Sequence, residues 1–384
     1  MKIGINALYL LPGKVGGTEI YIRQLSEWLV KNNSNNENEY FIFINKESVG
    51  VFDNLVPSIK IIVCPFMAAS RPVRILWEQL ILPFQVWRRH IDVLLSAGMT
   101  APFFCPATSV VVIHDLQHVN QPKNFTTITL FFLKTIIYLS AKSADGIIAI
   151  SQKVKNDIVR FYKVSPGKID VIYHAADTDL FFPRDKDDVF SARKKYHLPE
   201  RFILYIASSL PHKNHERLLM AFKIMKERIK GIKLVLIGAR DKGYDVVSEM
   251  INKLELQDDV VFLGWLPFED IPLIYCASEL FVFPSMHEGF GIPILEAMSC
   301  GVPVVCSGIE PLTEIAGEAA LYCDPYNPAN IAELVLSVLE SRALRQRLID
   351  EGFKRTTKFR WKDTALNTLS FMKSHCLAKK RGRS

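Results

Sequence analysis

The sequence predicts an α/β protein made of two doubly wound, Rossmann-like domains that face each other across a cleft. Short runs rich in valine, isoleucine and phenylalanine alternate with longer segments of helical period along most of the chain. Such alternation is typical of parallel sheets covered by helices. The chain has 384 residues, which is more than one hydrophobic core usually serves, so two domains of roughly 180 residues each are expected.

In the first half, predicted strands and helices take turns. The predicted strands are Lys2–Leu10, Tyr40–Ile44, Ile59–Cys64, Val93–Ser96, Val110–His114, Gly146–Ile150 and Ile169–Tyr173. The predicted helices are Gly17–Lys31, Val73–Arg89, Thr126–Ser143 and Lys153–Tyr162. Together they indicate a first domain over residues 1–180.

Residues 175–200 contain no convincing strand and carry a mixed-charge stretch, so we interpret them as the hinge between domains. The alternation then resumes through Phe202–Ala207, Glu216–Lys230, Leu234–Ile237, Val246–Leu254, Val260–Gly264, Leu280–Pro284, Ile294–Ser299 and Val304–Cys306, followed by the helices Ala329–Glu340 and Ala343–Lys358. We assign the second domain to 181–358. Residues 359–384 are predicted to form a last helix, near Lys362–His375, that returns to the first domain and ends in a basic tail.

Charge and cysteine usage narrow the function classes. The net charge is +7, and four of these charges lie in the tail, at Lys379, Lys380, Arg381 and Arg383. No basic stripe of the kind that binds nucleic acid is present in the sequence. We interpret the tail as a solvated end, with contact to anionic lipid as the alternative. The seven cysteines include no C-x-x-C pair, which favours reduced thiols and a cytoplasmic protein.

Membrane insertion is not expected. The opening run is too short and too weakly charged at its front for a signal peptide. The longest apolar stretch, Ile128–Ala141, is interrupted by Lys134 and is shorter than a membrane span. The segment from Arg71 to Arg89 combines arginines with tryptophans, and it is interpreted either as an acceptor-facing or membrane-facing surface or as a solvated helix face.

Glycine and polar residues follow several predicted strands, where open α/β sheets bind their ligands. Four clusters meet this condition: 13–19, His114-Asp115, 208–214 and 287–291. In the last cluster, Gly289 and Gly291 allow a close backbone approach, and Pro293 suits the first turn of a helix. The amides and dipole of that helix would hold a diphosphate, while Glu288 and Glu296 offer carboxylates to sugar or ribose hydroxyls.

The segment from Glu288 through Glu296 to Val305 resembles the glutamate-x7-glutamate region of the retaining glycosyltransferases called group 1, or family four, which have the GT-B fold. Further similarities run along nearly the whole chain, in the order 16–19, 112–116, 144–151, 213–214 and 315–321. As an ordered set these motifs are specific for fold and reaction type, although not for the substrate.

The resemblance implies a role for each matching residue. Glu288 would bind donor sugar hydroxyls, Glu296 the ribose hydroxyls, and the amides of Phe290 and Gly291 the phosphates or the sugar. The remaining implied contacts with the donor are made by Gly16 and Gly17 near the diphosphate, Gly289 in the same loop, Lys213 as its neutralising cation and His114 near the transferred sugar. Catalysis would rest on positioning and leaving-group stabilisation.

The chain departs from the family pattern at one turn. Where the family commonly has Gly-Arg, this sequence has Ser208-Ser209, so Ser209 is assigned to the donor site without a second cation beside Lys213. The Asp177-Thr178-Asp179 segment has the D-x-D form of a metal site in another glycosyltransferase fold, but it enters the hinge, and we interpret it as a turn. The resemblance therefore implies an enzyme without metal or cofactor.

The expected substrates are a nucleotide-diphosphate hexose and a glycan or lipid-linked acceptor, in polysaccharide or glycolipid synthesis. The sequence of residues 114–125 favours mannose as the transferred sugar. A nucleotide-sugar epimerase and a non-catalytic sugar-nucleotide-binding module are the alternatives. The nucleoside, the linkage and the oligomeric state are left open by the sequence.

Overall fold

The computed structural model describes residues 1–240 and 243–381. The chain divides into two compact units, Met1–His174 together with Trp361–Ser384, and Ala175–Arg360. Each unit contains one sheet in which all neighbouring strands are parallel, and in each sheet the strand order reverses direction near the middle. The predicted α/β class with two doubly wound sheets is therefore confirmed.

The sheet of the first unit has seven strands. They are β1 (Lys2–Asn6), β2 (Glu39–Ile44), β3 (Ile59–Val63), β4 (Val93–Ser96), β5 (Thr108–Ile113), β6 (Gly146–Ala149) and β7 (Ile169–Val171). Their order is β3-β2-β1-β4-β5-β6-β7, so the sheet grows outward in both directions from the β1–β4 pair. All residues of β4 and β5 are buried, which explains their nearly continuous apolar sequences.

Helices of the first unit are α1 (Gly17–Lys31), α2 (Arg71–Leu76), α3 (Leu82–Arg88), α4 (Gln117–Asn120), α5 (Thr127–Ser143), α6 (Gln152–Tyr162) and the terminal α15 (Trp361–Arg381). A π-helical turn, Trp77–Ile81, joins α2 to α3. The predicted helix over Val73–Arg89 is thus observed as three segments. Pro83 lies in the first turn of α3 and cannot donate a backbone hydrogen bond, which accounts for the irregularity before it.

The terminal helix α15 packs against α1 and against strands β4 to β6. Its basic end is held by ion pairs, because Lys379 contacts Asp145 at 2.7 Å and Lys380 contacts Asp92 at 2.9 Å. The Lys379 side chain is only 22% exposed and so departs from the predicted solvated end, whereas the Lys380 side chain is 66% exposed and stays solvated. Arg383, which belonged to the same predicted tail, lies outside the described residues.

The sheet of the second unit has six strands in the order β10-β9-β8-β11-β12-β13. They are β8 (Phe202–Ile206), β9 (Lys233–Ile237), β10 (Val260–Gly264), β11 (Leu280–Phe283), β12 (Val304–Ser307) and β13 (Ala320–Cys323). Its helices are α7 (Lys186–Lys195), α8 (His215–Arg228), α9 (Tyr244–Lys253), α10 (Ile271–Ala277), α11 (Ile292–Ser299), α12 (Leu312–Ala316), α13 (Pro328–Glu340) and α14 (Arg342–Thr356). No helix in the described parts of either unit is long and apolar enough to cross a membrane.

The sequence prediction missed four elements of the second unit, helices α7, α10 and α12 and strand β13. Helix α7 lies inside the segment interpreted as a hinge, yet it packs against α10 within the second unit. Its sequence is mostly charged and only Ala192 is buried, so the apolar period that indicates a helix is weak. Strand β13 is the edge strand beside β12, and its four residues are too few for a clear pattern.

Candidate active site

The loops after β8 and β11 meet at the point where the second sheet reverses its strand order. Met286 donates its backbone N–H to the His212 carbonyl at 2.8 Å, and the Asn214 side-chain amide donates to the Pro284 carbonyl at 2.9 Å. Ligands of doubly wound sheets bind at such switch points, outside the carboxyl ends of the strands. These two loops carry most of the residues predicted for the donor site.

Lys213 and Glu288 form an ion pair between the two loops. Lys213 Nζ lies 2.6 Å from Glu288 Oε1, and the two side chains are 18% and 12% exposed. The ammonium also lies 5.6 Å from the centre of the Phe283 ring. The structure therefore brings two of the predicted catalytic residues into direct contact, in a partly desolvated place where a charge interaction is stronger than in water.

Helix α11 begins directly after Gly291, which adopts φ 103° and ψ 47°. A Cβ atom at this position would lie 2.6 Å from Leu312 Cδ2, so both the backbone conformation and the space require glycine. Pro293 lies in the first turn of the helix, as predicted. The Phe290 side chain is buried against the Phe359 ring, and any contact of Phe290 with a ligand would therefore come from its backbone.

Glu296 lies inside α11 and is only 5% exposed. Burial raises the pKa of its carboxyl to about 7; a hydrogen bond from the Tyr275 hydroxyl lowers this pKa in part, and the negative charge of Asp177 raises it further. The Tyr275 hydroxyl lies 3.2 Å from Glu296 Oε2. Near neutral pH this carboxyl is therefore poised between its neutral and ionised forms.

Asp177 forms the turn that the sequence predicted, because its carboxylate accepts the backbone N–H of Asp179 at 3.2 Å. The negative charge of Asp177 also raises the pKa of Glu296. This effect could not be predicted from the sequence, because the two residues lie far apart along the chain. Within 1–240 and 243–381, no three His, Cys, Asp or Glu side chains are grouped so that they could hold a metal ion.

Ser209 is placed differently from the other predicted donor ligands. It is buried, its backbone N–H and its hydroxyl donate to the Ala239 carbonyl at 3.2 and 3.4 Å, and it lines a pocket of about 200 Å³ beside Arg217 and Gly243. Neither Lys213 nor Glu288 lines that pocket. The Ser209 hydroxyl is thus directed toward the loop after β9 and away from the ion pair.

Gly16 and Gly17 lie at the carboxyl end of β1 in the first unit, at the start of α1. Gly16 is the N-terminal cap of this helix and has φ 55° and ψ −130°. Two hydrogen bonds hold this loop in place. The Tyr9 hydroxyl donates to the Thr18 carbonyl at 2.9 Å, and the Glu19 carboxylate accepts the Gly13 N–H at 2.7 Å.

His114 follows β5 and is buried in an aromatic cluster. Its ring centre lies 5.1 Å from that of Tyr21 and 5.4 Å from that of His174, and the Trp361 ring lies 5.7 Å from the His174 ring at a tilt of 32°. The sequence did not predict the other members of this cluster, Tyr21, His174 and Trp361, because they come from three distant parts of the chain. Aromatic side chains are common in protein cores, so their residue type alone does not indicate a site.

The protonation state of His114 follows from its contacts. Its Nε2 lies 2.8 Å from the Ala97 carbonyl, which can only accept, so Nε2 carries the proton. Burial lowers the pKa of the ring and keeps it neutral. Its Nδ1 is buried and has no hydrogen-bond partner in the described parts of the chain. The remaining capacity of this imidazole is therefore to accept a hydrogen bond at Nδ1.

Comparison with known families matches both halves of the chain. Residues 15–180 match the glycosyltransferase family 4 model, and residues 188–355 match the model for glycosyl transferases group 1. The chain is 31% identical over 268 residues to O-antigen chain mannosyltransferase B of Escherichia coli, covering 69% of this chain and 70% of the relative. It is 29% identical to the O-antigen chain mannosyltransferase RfbU of Salmonella typhimurium, over 56% of each chain.

Solved structures with a similar fold include sucrose-phosphate synthase from Thermosynechococcus elongatus, with a TM-score of 0.80, 20% identity and coverage of 98% of this chain and 100% of that one. Anabaena HepE in complex with UDP-glucose matches with a TM-score of 0.77 and 20% identity, over 97% of this chain and 100% of that one. The family models, the mannosyltransferase relatives and the two doubly wound sheets agree. The chain belongs to the group 1, family 4 glycosyltransferases and is a hexosyltransferase of glycan biosynthesis.

Proposed function

We propose that this enzyme transfers mannose, with retention of configuration and without a metal ion, from a nucleotide-diphosphate sugar to a glycan or lipid-linked acceptor. The choice of mannose is supported by the two O-antigen mannosyltransferase relatives. The observation that carries the proposed mechanism is the Lys213–Glu288 ion pair directly before the N-terminus of α11. A cation, a run of backbone amides and a carboxylate at one switch point suit a sugar diphosphate.

Each group in the second unit has a distinct task in this proposal. A bound diphosphate draws the Lys213 ammonium away from Glu288 and takes its place in the charge pair. Glu288 then accepts hydrogen bonds from the donor sugar, while the amides of Gly289 to Gly291 and the dipole of α11 bind phosphate oxygens. Glu296, ionised above pH 7, binds the ribose hydroxyls. Ser209 contributes to the donor site only by holding the loop after β8 in place, because its backbone N–H and its hydroxyl both donate to the Ala239 carbonyl.

The donor residues predicted in the first unit have tasks of their own in the proposal. The open backbone at Gly16 and Gly17 permits a close approach of the diphosphate. His114 accepts a hydrogen bond at Nδ1 from a hydroxyl of the transferred sugar, which requires a small displacement of the aromatic cluster that encloses it. Its task is orientation of the sugar, because a neutral ring of lowered pKa is a poor acid or base for the transfer itself.

The transfer step uses the leaving group as its base. The bond between the anomeric carbon and the diphosphate oxygen breaks while the acceptor hydroxyl attacks from the same face of the sugar. The hydroxyl proton passes to the departing phosphate, and the new glycosidic bond keeps the original configuration. Lys213 and the α11 amides stabilise the charge that develops on the diphosphate, which is the largest contribution expected in such a site.

Product analysis tests this proposal. The full chain is screened against UDP, GDP and ADP sugars by thermal shift, and the best donor is then turned over with acceptor in the presence of a chelator or of manganese. We expect transfer in chelator and a product whose anomeric configuration, read by NMR, matches the donor. Loss of transfer in chelator with recovery in manganese would contradict metal independence. An inverted product would contradict retention.

Peripheral contact with the cytoplasmic face of a membrane is the second part of the proposal. The α2–α3 segment exposes Val73, Leu76, Leu80, Phe84 and Trp87, which follow one another at helical spacing. Helix α5 also exposes apolar side chains, including Ile128 and Phe131.

The elements that carry the two exposed apolar faces are linked by hydrogen bonds within the first unit. The side chain of Gln79 bonds to the backbone of Ala101 and Phe103 at 3.1 and 2.9 Å, and Ala101 N–H donates to Ser140 of α5 at 3.0 Å. Phe104, between them, is 87% exposed. Neither α5 nor the α2–α3 segment contains an acidic residue, apart from the buried Glu78. This surface therefore suits an anionic lipid layer.

Vesicle flotation tests the membrane contact. We expect the chain to float with vesicles that contain phosphatidylglycerol, and the double change Leu80→Ser with Trp87→Ser to abolish flotation without altering nucleotide binding. The matched control is Phe161→Ser, because Phe161 is an exposed aromatic residue on α6, outside this surface. Equal flotation of the parent and the double variant would contradict the assignment of the surface.

A further inference from the structure

A second pocket with the character of an anion site lies in the first unit. Its volume is about 210 Å³, and its walls include Tyr9, Val15, Thr18, Arg71, Arg74 and Gly98. These residues come from the loops after β1 and β4, from the first turn of α1 and from helix α2. The pocket therefore lies at the switch point of the seven-stranded sheet, where the strand order reverses.

The two arginines of this pocket lack an opposite charge in contact with them. Within the described residues, neither guanidinium has a carboxylate within ion-pair distance, and the buried Nε of Arg74 has no hydrogen-bond partner. Burial lowers the pKa of Arg74, the charge of Glu78 opposes this shift, and the nearby positive charge of Arg71 lowers the pKa further. Two like charges thus converge on a cavity, an arrangement that a bound anion would stabilise.

The neighbouring carboxylates are engaged elsewhere. Glu19 pairs with Arg23 at 2.8 Å, and Glu47 accepts backbone N–H groups at Ala68 and Ala69. Glu78, buried on the π-helical turn, accepts hydrogen bonds from Asn6 at 3.1 Å and Thr100 at 3.0 Å. Glu78 balances Arg74 from a distance, but Arg71 has no such counterpart, so the pocket keeps a net positive charge.

The shape of the pocket is fixed by a close approach between two of its walls. A Cβ atom added at Gly98 would lie 2.2 Å from the Tyr9 ring, so the ring can pack on the backbone after β4 only because this residue is glycine. The Tyr9 hydroxyl is already used by the Thr18 carbonyl. The hydrogen-bond donors left to the pocket are therefore the guanidinium groups, whose planar forks match phosphate oxygens.

We propose that this pocket binds a phosphate group of the acceptor, held by Arg71 and Arg74. The identification of that phosphate with the acceptor rests on the proposed function, because that proposal gives the donor diphosphate its cation at Lys213 and its amides at α11, Gly16 and Gly17, and assigns no donor contact to Arg71 or Arg74. The phosphate belongs either to a soluble sugar phosphate or to a lipid-linked sugar. The chemistry is the same in both cases, and only the molecule that carries the phosphate differs.

Binding of defined phosphate probes to the full chain tests the proposal. The probes are inorganic phosphate, mannose 6-phosphate, and undecaprenyl phosphate in neutral phosphatidylcholine vesicles. We expect saturable binding of at least one probe, weakened at least about tenfold by Arg74→Gln and by Arg71→Gln. Arg74→Lys should weaken it less than Arg74→Gln, because lysine keeps the charge but lacks the planar fork. Arg88→Gln, an exposed arginine on α3, is the matched control and should bind like the parent.

The different probes and variants distinguish which molecule carries the phosphate and show which results would overturn the site. Binding of a soluble probe indicates a soluble acceptor, whereas binding of the vesicle probe alone indicates a lipid-linked one. If Arg74→Gln destabilises the chain, Arg74→Gln with Glu78→Gln removes both charges and must still lose phosphate binding. Absence of saturable binding, or equal losses in Arg88→Gln, would overturn the site.

Nucleotide binding gives an independent reading. Weakening of nucleotide-diphosphate binding by Arg74→Gln to the same extent as phosphate binding would assign the pocket to the donor and overturn the acceptor assignment. Failure of every nucleotide to bind, with Arg74-dependent phosphate binding intact, would instead count against the proposed donor site and leave the anion pocket standing.

Discussion

Lys213 and Glu288 satisfy each other's charge in the structure, so a donor diphosphate must compete with Glu288 for the ammonium. This exchange keeps the lysine at its place in the loop before the substrate arrives. It also means that removing either partner leaves the other in a partly desolvated position without its counter-charge. The effect of a single substitution therefore mixes a lost catalytic contact with a disturbed pair.

A double-mutant cycle separates these contributions. Lys213→Ala should reduce turnover at saturating donor about a hundredfold or more, because the charge that develops on the leaving diphosphate loses its cation. Glu288→Gln should cost less, and adding it to Lys213→Ala should restore little. Two outcomes would show that the lysine serves only to hold Glu288. One is a turnover of the double variant equal to that of Glu288→Gln alone, and the other is a turnover of Lys213→Ala within about threefold of the parent.

Glu296 makes a pH-dependent contribution to stability. Burial raises the pKa of this carboxyl in the folded chain to about 7 from an ordinary value of 4.5. The folded state therefore holds a proton that the unfolded chain releases, and stability falls as pH rises from 4.5 to 7 and stays reduced above it. Glu296→Gln removes this cost, which is up to about 3 kcal/mol.

Thermal melts and nucleotide titrations at several pH values measure both consequences. The melting temperature of Glu296→Gln should exceed that of the parent at about pH 8 and match it near about pH 4. Nucleotide binding by the parent should tighten as pH rises through 7, since the ionised carboxylate accepts the ribose hydroxyls, and the variant should lose this dependence. A melting-temperature difference that is independent of pH would contradict the raised pKa.

At the residue scale, the candidate donor residues could be named from the sequence, but their contacts with one another could not. Glu288, Glu296 and Lys213 could be assigned because glycine and polar residues stood at predicted strand ends and matched an ordered family pattern. The ion pair, the raised pKa of Glu296 and the effect of Asp177 depend on distances between segments that are remote along the chain. Periodicity carries no information about such distances.

Helix α11 is the element on which phosphate binding depends in the proposal, and its start is set by Gly291. Gly291→Ala would force a side chain into an unfavourable backbone conformation and against Leu312, at a cost of about 1–3 kcal/mol. We expect both a lower melting temperature and weaker nucleotide binding, measured by calorimetry. Gly231→Ala is the matched control, because Gly231 has φ 78° and open space around its Cβ position.

The control separates backbone strain from a change in the site. Gly231→Ala should lower stability without affecting nucleotide binding, because it lies in the turn between α8 and β9. Leu312→Ala combined with Gly291→Ala relieves the steric contact but not the backbone strain, so it should recover only part of the loss. Parent-like nucleotide binding in Gly291→Ala would show that the α11 amides do not hold the phosphates.

Buried parallel strands were the elements most readily predicted, because their apolar runs are continuous and bounded by turn residues. Helix α7 escaped prediction because its contacts leave most of its surface in water, and β13 because it is short. The π-helical turn at Trp77–Ile81 was not foreseen either. It buries Glu78 against Asn6 and Thr100, and this tertiary arrangement determines the local winding of the helix.

At the scale of the whole molecule, the two units are built differently along the chain. The second unit is one continuous segment, Ala175–Arg360, whereas the first needs the terminal helix α15 in addition to residues 1–174. This helix buries Trp361, Phe371 and Met372, and Phe371 covers Gly146 of β6 so closely that a Cβ there would lie 2.8 Å away. The core of the first unit is therefore incomplete without helix α15.

Separate expression of the units tests this difference. A fragment of residues 175–360 should fold alone and bind nucleotide, because Lys213, Glu296 and the α11 amides all belong to it; its Glu296→Ala form is the control and should lose that binding. A fragment of residues 1–174 should fail to fold, since removal of α15 exposes apolar core surface at about 25 cal/mol per Å². Co-expression of residues 361–384 should restore folding of this fragment, as judged by circular dichroism.

Two outcomes would contradict these expectations. A 1–174 fragment that melts cooperatively on its own would show that α15 is dispensable. A folded 175–360 fragment without nucleotide affinity would assign essential donor contacts to the first unit, where Gly16, Gly17 and His114 are the candidates.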